Sequence, residues 1–397
     1  MGKLKSFIIA AAALSCPFLA CSGAAGQAMQ TAAYFAAGIT PTETQEPALD
    51  ISANVPESVP ESSDNAASEE SSAPTYEHIP AEMSAGIEPE ATSETVELTE
   101  TAETSEPSAD SVRPITQNIT EYTEPAADYT THSGAVVREH YGNSLAEDHI
   151  TLESGAQVRN CTSLPNETLS AAAEELPPLD INITEPTVLI VHTHTTECFQ
   201  PSAEDWYDAS RPTRTRDNTQ NMVAVGNALA DALAKNGVIA VHDCTVHDYP
   251  AYSGAYDRSE DTIRAALEKY PSIKIVIDLH RDAIETSDGT RIAPVTEING
   301  RNAAQFMIIA GCDDGRFNMP NYMENFRLAC LIQNTAEDMY AGLARPVLFD
   351  YRNYNQHITN GSLLIEVGSH GNSLDEAVYT GELLGNVLAE TVKKLCS

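Results

Sequence analysis

Val188-Leu-Ile-Val-His192-Thr-His194-Thr-Thr-Glu197 reads as a strand that delivers polar side chains to its end. The run from Val188 to Val191 is apolar without alternation, which suits a parallel strand buried on both faces. Histidines and a carboxylate follow it at once. In open α/β folds ligands bind beyond the carboxyl ends of the strands, and imidazole with carboxylate is a donor set for zinc. His192 and His194 stand two apart, so a continuing strand would put both on one face. His194 is nearer the end, where a turn through Thr195 and Thr196 brings Glu197 beside it, and it is favoured as the ligand. His192 is the alternative ligand, or else a support stacked beneath the site. Asp217 is a second carboxylate candidate, although a helix N-cap suits it better.

Downstream, a loop rich in Arg and Thr leads to a helix over about 218–235, with Met222, Val225, Leu229 and Leu233 at helical spacing. Asn236-Gly237 ends it, and Val238-Ile-Ala-Val241 is the next strand. A helix near 259–268 precedes the strand Ile273–Leu279, and His280 stands at that strand's end. Strands at 292–295 and 305–310, a helix at about 323–341, the strand Leu363-Leu-Ile-Glu-Val367 and a helix near 374–394 complete the series. Upstream, 148–160 reads as a hairpin, followed by a helix near 169–175. This alternation predicts an α/β fold with a mostly parallel sheet flanked by helices.

Several strand ends therefore deliver chemistry together. A catalytic zinc centre takes three protein ligands and keeps one position for water; His194, Glu197 and His280 meet that count. Water on zinc ionises near neutral pH, and a carboxylate off the metal must then move the proton. Glu366 suits that role, because it interrupts an apolar strand where an unpartnered charge is costly to bury.

The chain ahead of this domain has a different composition. Lys3 and Lys5 followed by an uncharged stretch make residues 1–30 an export segment. It is expected to remain as a single-span anchor, since its apolar length of about 20 residues suffices to cross a bilayer. Phe18-Leu-Ala-Cys21 is a poor lipoprotein cleavage box, with an aromatic where a branched aliphatic residue is expected. The lysines keep the N-terminal side in the cytoplasm and put the bulk of the chain on the extracytoplasmic face. Residues 31–145 read as an acidic, disordered tether: Arg113 is the only Lys or Arg between Glu43 and Asp128. Such a composition buries too little apolar surface to offset its ordering entropy. It supplies most of the net charge of −36 and argues against nucleic acid as a partner. Residues 146–397 fit one catalytic domain. The 8 cysteines show no CxxC pair, and Cys198 reads as a small residue filling the turn after Glu197.

The blocks around His192–Glu197, His247-Asp-Tyr-Pro-Ala-Tyr-Ser-Gly-Ala-Tyr256 with Arg258-Ser259, Ile277-Asp-Leu-His-Arg-Asp-Ala283, Tyr354-Asn-Gln-His357 and Leu363-Leu-Ile-Glu-Val-Gly368 with Asn372 resemble the stage II sporulation protein P family. The resemblance runs in order from about residue 148 onward. It implies a zinc-dependent N-acetylmuramoyl-L-alanine amidase of peptidoglycan that also cuts cross-linked stem peptides. It also implies action at the forespore septum during engulfment, with the stage II sporulation proteins D and M as partners. The wider cell-wall amidases carry a motif Ser-Ile-His-Ala-Asn-Ala similar to Asp278–Ala283, and a Glu-Thr-Gly similar to Glu366-Val-Gly368. Zinc carboxypeptidases share His-x-x-Glu with a later His and a late Glu, which supports His194 over His192. Cys198, Phe199 and His370 depart from the family pattern at the rim of the site.

Within that reading Arg281, Asn355 and Gln356 are candidates for holding the muramyl peptide. Arg281 is placed to reach a substrate carboxylate, or alternatively pairs with Asp278 or Asp282. Tyr252 and Tyr256 either stack on sugars or pack. Rival readings are a zinc carboxypeptidase acting on stem peptides and a non-catalytic wall-binding scaffold.

Overall fold

The computed structural model describes residues 112–125 and 127–396. Its strands are β1 (Ile115–Gln117), β2 (Gly134–Glu139), β3 (His149–Thr151), β4 (Gln157–Asn160), β5 (Val188–Val191), β6 (Trp206–Tyr207) and β7 (Ala240–Asp243). They continue with β8 (Ile275–Asp282), β9 (Arg291–Ile298), β10 (Arg301–Ala304), β11 (Phe306–Cys312), β12 (Val347–Tyr351) and β13 (Ser362–Ser369). The helices are α1 (Asn166–Ala173), α2 (Met222–Lys235), α3 (Ala255–Lys269), α4 (Tyr322–Met339) and α5 (Leu374–Leu395).

One 9-stranded sheet carries the order β1-β7-β5-β8-β13-β11-β12-β4-β3. Only the β13–β11 and β4–β3 pairs are antiparallel, so the sheet is mostly parallel as expected. A second, 4-stranded sheet runs β10-β9-β2-β6. Strand alternation divides the core. Val188 and Ile190 of β5 face a large cluster with Leu229 of α2 and Phe326 of α4. Leu189 and Val191 face a smaller one with Ile263 and Ala266 of α3. Strands coated on both sides have no need of polar alternation, which is why β5 reads as a plain apolar run.

Register then places the functional strands. Val191 of β5 pairs with Asp278 of β8, and His280 of β8 pairs with Glu366 of β13. Met307 of β11 lies opposite Glu366 on its other side. Val276 belongs to the cluster under α3, so Asp278 and His280, two and four residues on, face that same side.

Several sequence expectations shift. The tether reading of 31–145 overreaches: Ile115–Gln117 adds to the edge of β7, and Gly134–Glu139 pairs with β9 and β6. Short strands satisfy their backbone groups against neighbours with few apolar side chains, so composition averaged over the stretch hides them. The remainder of the tether and the anchor at 1–30 lie outside the described residues. Among the described residues no helix is long and apolar enough to cross a membrane. The second helix starts at Met222, because Asn221 caps it by accepting from the Val223 N–H at 2.9 Å. Asp217 instead folds a preceding turn, accepting from Thr219 N at 3.0 Å and Gln220 Nε2 at 3.0 Å.

Candidate active site

His192 and His194 part company at the end of β5. The strand stops at Val191, and His192 keeps its parity, facing α2. There its Nδ1 meets the Leu279 carbonyl at 2.9 Å and its Nε2 meets His242 Nε2 at 2.9 Å. Gly226 of α2 makes room: a Cβ there would lie 2.8 Å from His192 Nε2. Burial holds the His192 pKa down to about 4, so the ring is neutral. His192 is thus packed on the far face of the sheet, bracing β8 through the carbonyl next to His280. A continuing strand would have put His194 there too. The turn after Thr193 carries it across instead, to within 5.2 Å of the His280 ring, centre to centre.

His194 lies under Tyr252, with ring centres 4.5 Å apart and the Tyr252 hydroxyl 3.0 Å from Nε2. Its Nδ1 is buried without a hydrogen-bond partner. Burial and the nearby His280 hold its pKa below the ordinary value, the neutral form a metal requires. Glu197 sits beside His280, its Oε2 3.7 Å from His280 Nδ1 and accepting from the Arg281 N–H at 3.2 Å. Its other oxygen accepts from Arg214 at 3.1 Å, and Arg214 is itself held by Asp248 at 2.6 Å.

The opposite edge of His280 is fixed by Asp278, 2.8 Å from Nε2. Thr193 donates to that carboxylate from its N–H at 2.8 Å and its hydroxyl at 2.6 Å. Burial opposes a charge on His280, but Asp278, Glu197 and Glu366 outweigh it and push its pKa up to about 9. Glu366 completes the cluster with Oε2 buried and unpartnered. Burial, reinforced by Asp282 and Glu197, raises its pKa to about 8 despite His280 and Arg345. Tyr256 stacks on Tyr354 at 5.3 Å and lies parallel to the His280 ring at 6.5 Å, so it walls the site.

Among the described residues no group of three or more His, Cys, Asp or Glu is assembled as a ready metal cage. His280 and Glu197 are side by side, while His194 keeps its contact with Tyr252.

The expected substrate-holding residues all make hydrogen bonds within the chain. Arg281 follows His280 on β8, so alternation sends it to the opposite face. There it donates to the carbonyls of Cys198 at 2.8 Å, Thr213 at 2.8 Å and Asp282 at 3.1 Å. Gln356 substitutes for a ladder partner at the end of β11, accepting from Gly311 N and donating to Ile309 O, both at 2.9 Å. Asn355 donates to the Tyr256 carbonyl at 2.8 Å and so holds the wall. Cys198 is buried against Pro212, as a turn filler should be. His370 is buried too, its pKa held down to about 3 by burial and by Arg281 and Arg291.

Sequence reasoning gave Asp278, Arg214 and Asp248 no part in holding the histidines and Glu197. Asp278 carried the same signal as Glu366, a carboxylate inside an apolar strand. Arg214 and Asp248 are loop residues whose pairing no periodicity announces.

The family model for stage II sporulation protein P matches residues 51–389. Stage II sporulation protein P of Bacillus subtilis (strain 168) is 27% identical over 235 residues, 56% of this chain. The chain spans 55% of the length of that relative. Solved structures that resemble it include the amidase AmiC2 of Nostoc punctiforme, at TM-score 0.31 and 12% identity, over 53% of this chain and 97% of that one. Another is the CwlD amidase from Clostridioides difficile, in complex with the GerS lipoprotein, at TM-score 0.34 and 12% identity, over 53% and 98%. With the family model spanning most of its length, the chain belongs to the stage II sporulation protein P family.

Proposed function

We propose that this chain is a zinc-dependent peptidoglycan hydrolase that cleaves the amide between N-acetylmuramic acid and L-alanine during sporulation. The observation that carries the reading is the meeting of His194, Glu197 and His280 beside the unpartnered carboxylate of Glu366, in a chain of this family.

The donors fit zinc on three counts. Ligands 2.0–2.2 Å from a tetrahedral zinc stand about 3.4 Å apart, close to the 3.7 Å between His280 Nδ1 and Glu197 Oε2. His194 Nδ1 is buried with nothing to bond. The carboxylates around His280 favour a positive charge strongly enough to retain a proton there. His194, Glu197 and His280 are therefore the ligands in this reading. When bound, zinc supplies Lewis acidity and a water that ionises near neutral pH.

The chain's own groups do the rest. Arg214 orients Glu197 through one oxygen and leaves the other toward His280. Asp278 lies 2.8 Å from His280 Nε2 and steadies the ring with Nδ1 toward Glu197, the carboxylate–histidine arrangement that tunes metal ligands. Glu366 removes the proton of the attacking water and returns it to the departing amine. A carboxyl whose pKa is raised toward neutrality is matched to both transfers. Anchoring by residues 1–30 on the extracytoplasmic face, and assembly with the stage II sporulation proteins D and M, belong to the same proposal.

Digestion of purified peptidoglycan, read by mass spectrometry, tests it. Free, intact stem peptides and bare glycan are expected, lost in Glu366→Gln and after chelation, and restored by zinc. Shortened stems still attached to glycan would instead indicate a carboxypeptidase. Undiminished release by Glu366→Gln would remove the proposed base.

A further inference from the structure

The smaller core cluster under α3 ends at β8. Beyond it, on the same side of the sheet, register lines up Ile309 of β11, Leu348 of β12, Arg159 of β4 and His149 of β3 in one row. Glu366 and Met307 pair in the adjacent row. These six side chains lie in one groove of about 330 Å³, which starts at the proposed base and runs toward the sheet's far edge. Its floor is largely apolar and its walls include Tyr141, Arg345 and Arg352.

The arginines are not equivalent. Arg159 is held by Asp148 at 3.0 Å, and Arg352 is held by Asp350 at 2.8 Å and the Tyr354 hydroxyl at 2.7 Å. Arg345 gives only Nη1, to Asp282 at 2.9 Å. Its Nε and Nη2 are buried and have no partner, although the residue is only 3% exposed. Those two nitrogens form the edge of a guanidinium that grips a carboxylate with two parallel hydrogen bonds. Leaving a buried charged donor unsatisfied is costly, and an incoming carboxylate would satisfy both at once.

We propose that this groove is the subsite for the acidic stem peptide, with Arg345 taking a free stem carboxylate on its Nε–Nη2 edge and Met307, Ile309 and Leu348 taking the aliphatic portions. The inference rests on the peptidoglycan reading above and names which part of that substrate lies beside Glu366. Arg345 is then the residue that distinguishes stems with a free carboxylate from amidated ones.

Binding of isolated stem peptide needs no cleavage, so it tests the subsite separately from the hydrolase reading. The tripeptide L-Ala-γ-D-Glu-meso-diaminopimelate, with the D-Glu carboxyl free or as carboxamide, is titrated calorimetrically into the full chain. The free acid should bind about 10-fold or more tightly, the size expected of a charge-assisted pair. Arg345→Lys, which keeps the charge but lacks the two-nitrogen edge, should lose most of that preference, as should Arg345→Gln. Should Arg345→Gln fail to fold, the lysine variant and the two peptides on the native chain still decide. Equal binding of acid and amide, no binding of either, or a lysine variant with undiminished preference would overturn the subsite. Retained preference in a protein that releases no stems would overturn the hydrolase reading alone.

Discussion

Glu366 is the side chain whose charge the fold disfavours most clearly. Its folded pKa, about 8, lies above the ordinary carboxylate value. Stability from this group is therefore full below about pH 4 and is lost as pH climbs toward 8. Without zinc, Glu366→Gln should raise stability by about 2–4 kcal/mol at alkaline pH and little at about pH 4, as read by urea denaturation. An equal gain at both pH values would refute the raised pKa. The same change should cut stem release by roughly 10²–10⁴-fold. Asp278→Asn is expected to weaken zinc binding about 10–100-fold in a chelator competition, because the His280 ring then loses its orienting acceptor. Unchanged affinity would mean that the turn after β5, not Asp278, aligns the ligands. These residues also mark how far sequence carries. Glu366 was singled out because an ionisable group inside an apolar strand is costly to bury without a role, and His280 because it follows an apolar run. Arg281 stayed open between substrate and an internal partner, because nearness in sequence to a ligand says nothing about which face a strand residue takes.

At the level of elements, the sheet and its helices were legible wherever burial imposes a period. The helical spacing of Leu229 and Leu233, the unbroken apolar run of β5 and the apolar start of β8 at Ile275–Ile277 come from packing against buried neighbours on both sides. β1, β6 and β12 were missed because short or half-exposed strands satisfy their backbone against a neighbour and constrain few side chains. Helix pairing is equally specific. Gly381 and Gly385 of α5 lie against α2, where a Cβ on Gly385 would meet the Leu229 carbonyl at 2.6 Å. Backbone cannot yield as a side chain does. Gly385→Ala should therefore destabilise the protein by about 1–3 kcal/mol despite alanine's better helix propensity. A guanidinium melt showing a gain instead would mean that the helices separate freely. Since α2 also contributes the space at Gly226 into which His192 and His242 fit, a shift of α2 should also loosen the brace on Leu279 behind His280.

Across the whole molecule, the segment ahead of residue 146 ties the rim of the site to the sheet. Gln117 and Asn118 each donate to Asp243 at 2.8 Å, and Glu124 accepts from the Thr215 hydroxyl at 2.5 Å while its N–H donates to Asp217 at 3.1 Å. Thr131 N–H donates to Asp208 at 2.8 Å, His132 stacks on Trp206 at 3.8 Å, and Arg138 pairs with Glu376 at the start of α5. The contacts to Asp208, Thr215 and Asp217 grip the loop between β6 and α2, and that loop carries Arg214, the partner of Glu197. A chain beginning at residue 146, the boundary that composition suggests, lacks all of them. It should melt about 10 °C lower, the equivalent of roughly 3 kcal/mol at this size, and bind zinc more weakly because Arg214 is no longer held over Glu197. A chain beginning at residue 112 should match the full protein in both calorimetric melting and zinc competition. The comparison separates the two contributions: lower melting with unchanged zinc affinity would confine the segment to covering sheet edges. Identical behaviour of the 112 and 146 chains would show that neither strand stabilises the domain, and that the rim loop holds Glu197 unaided.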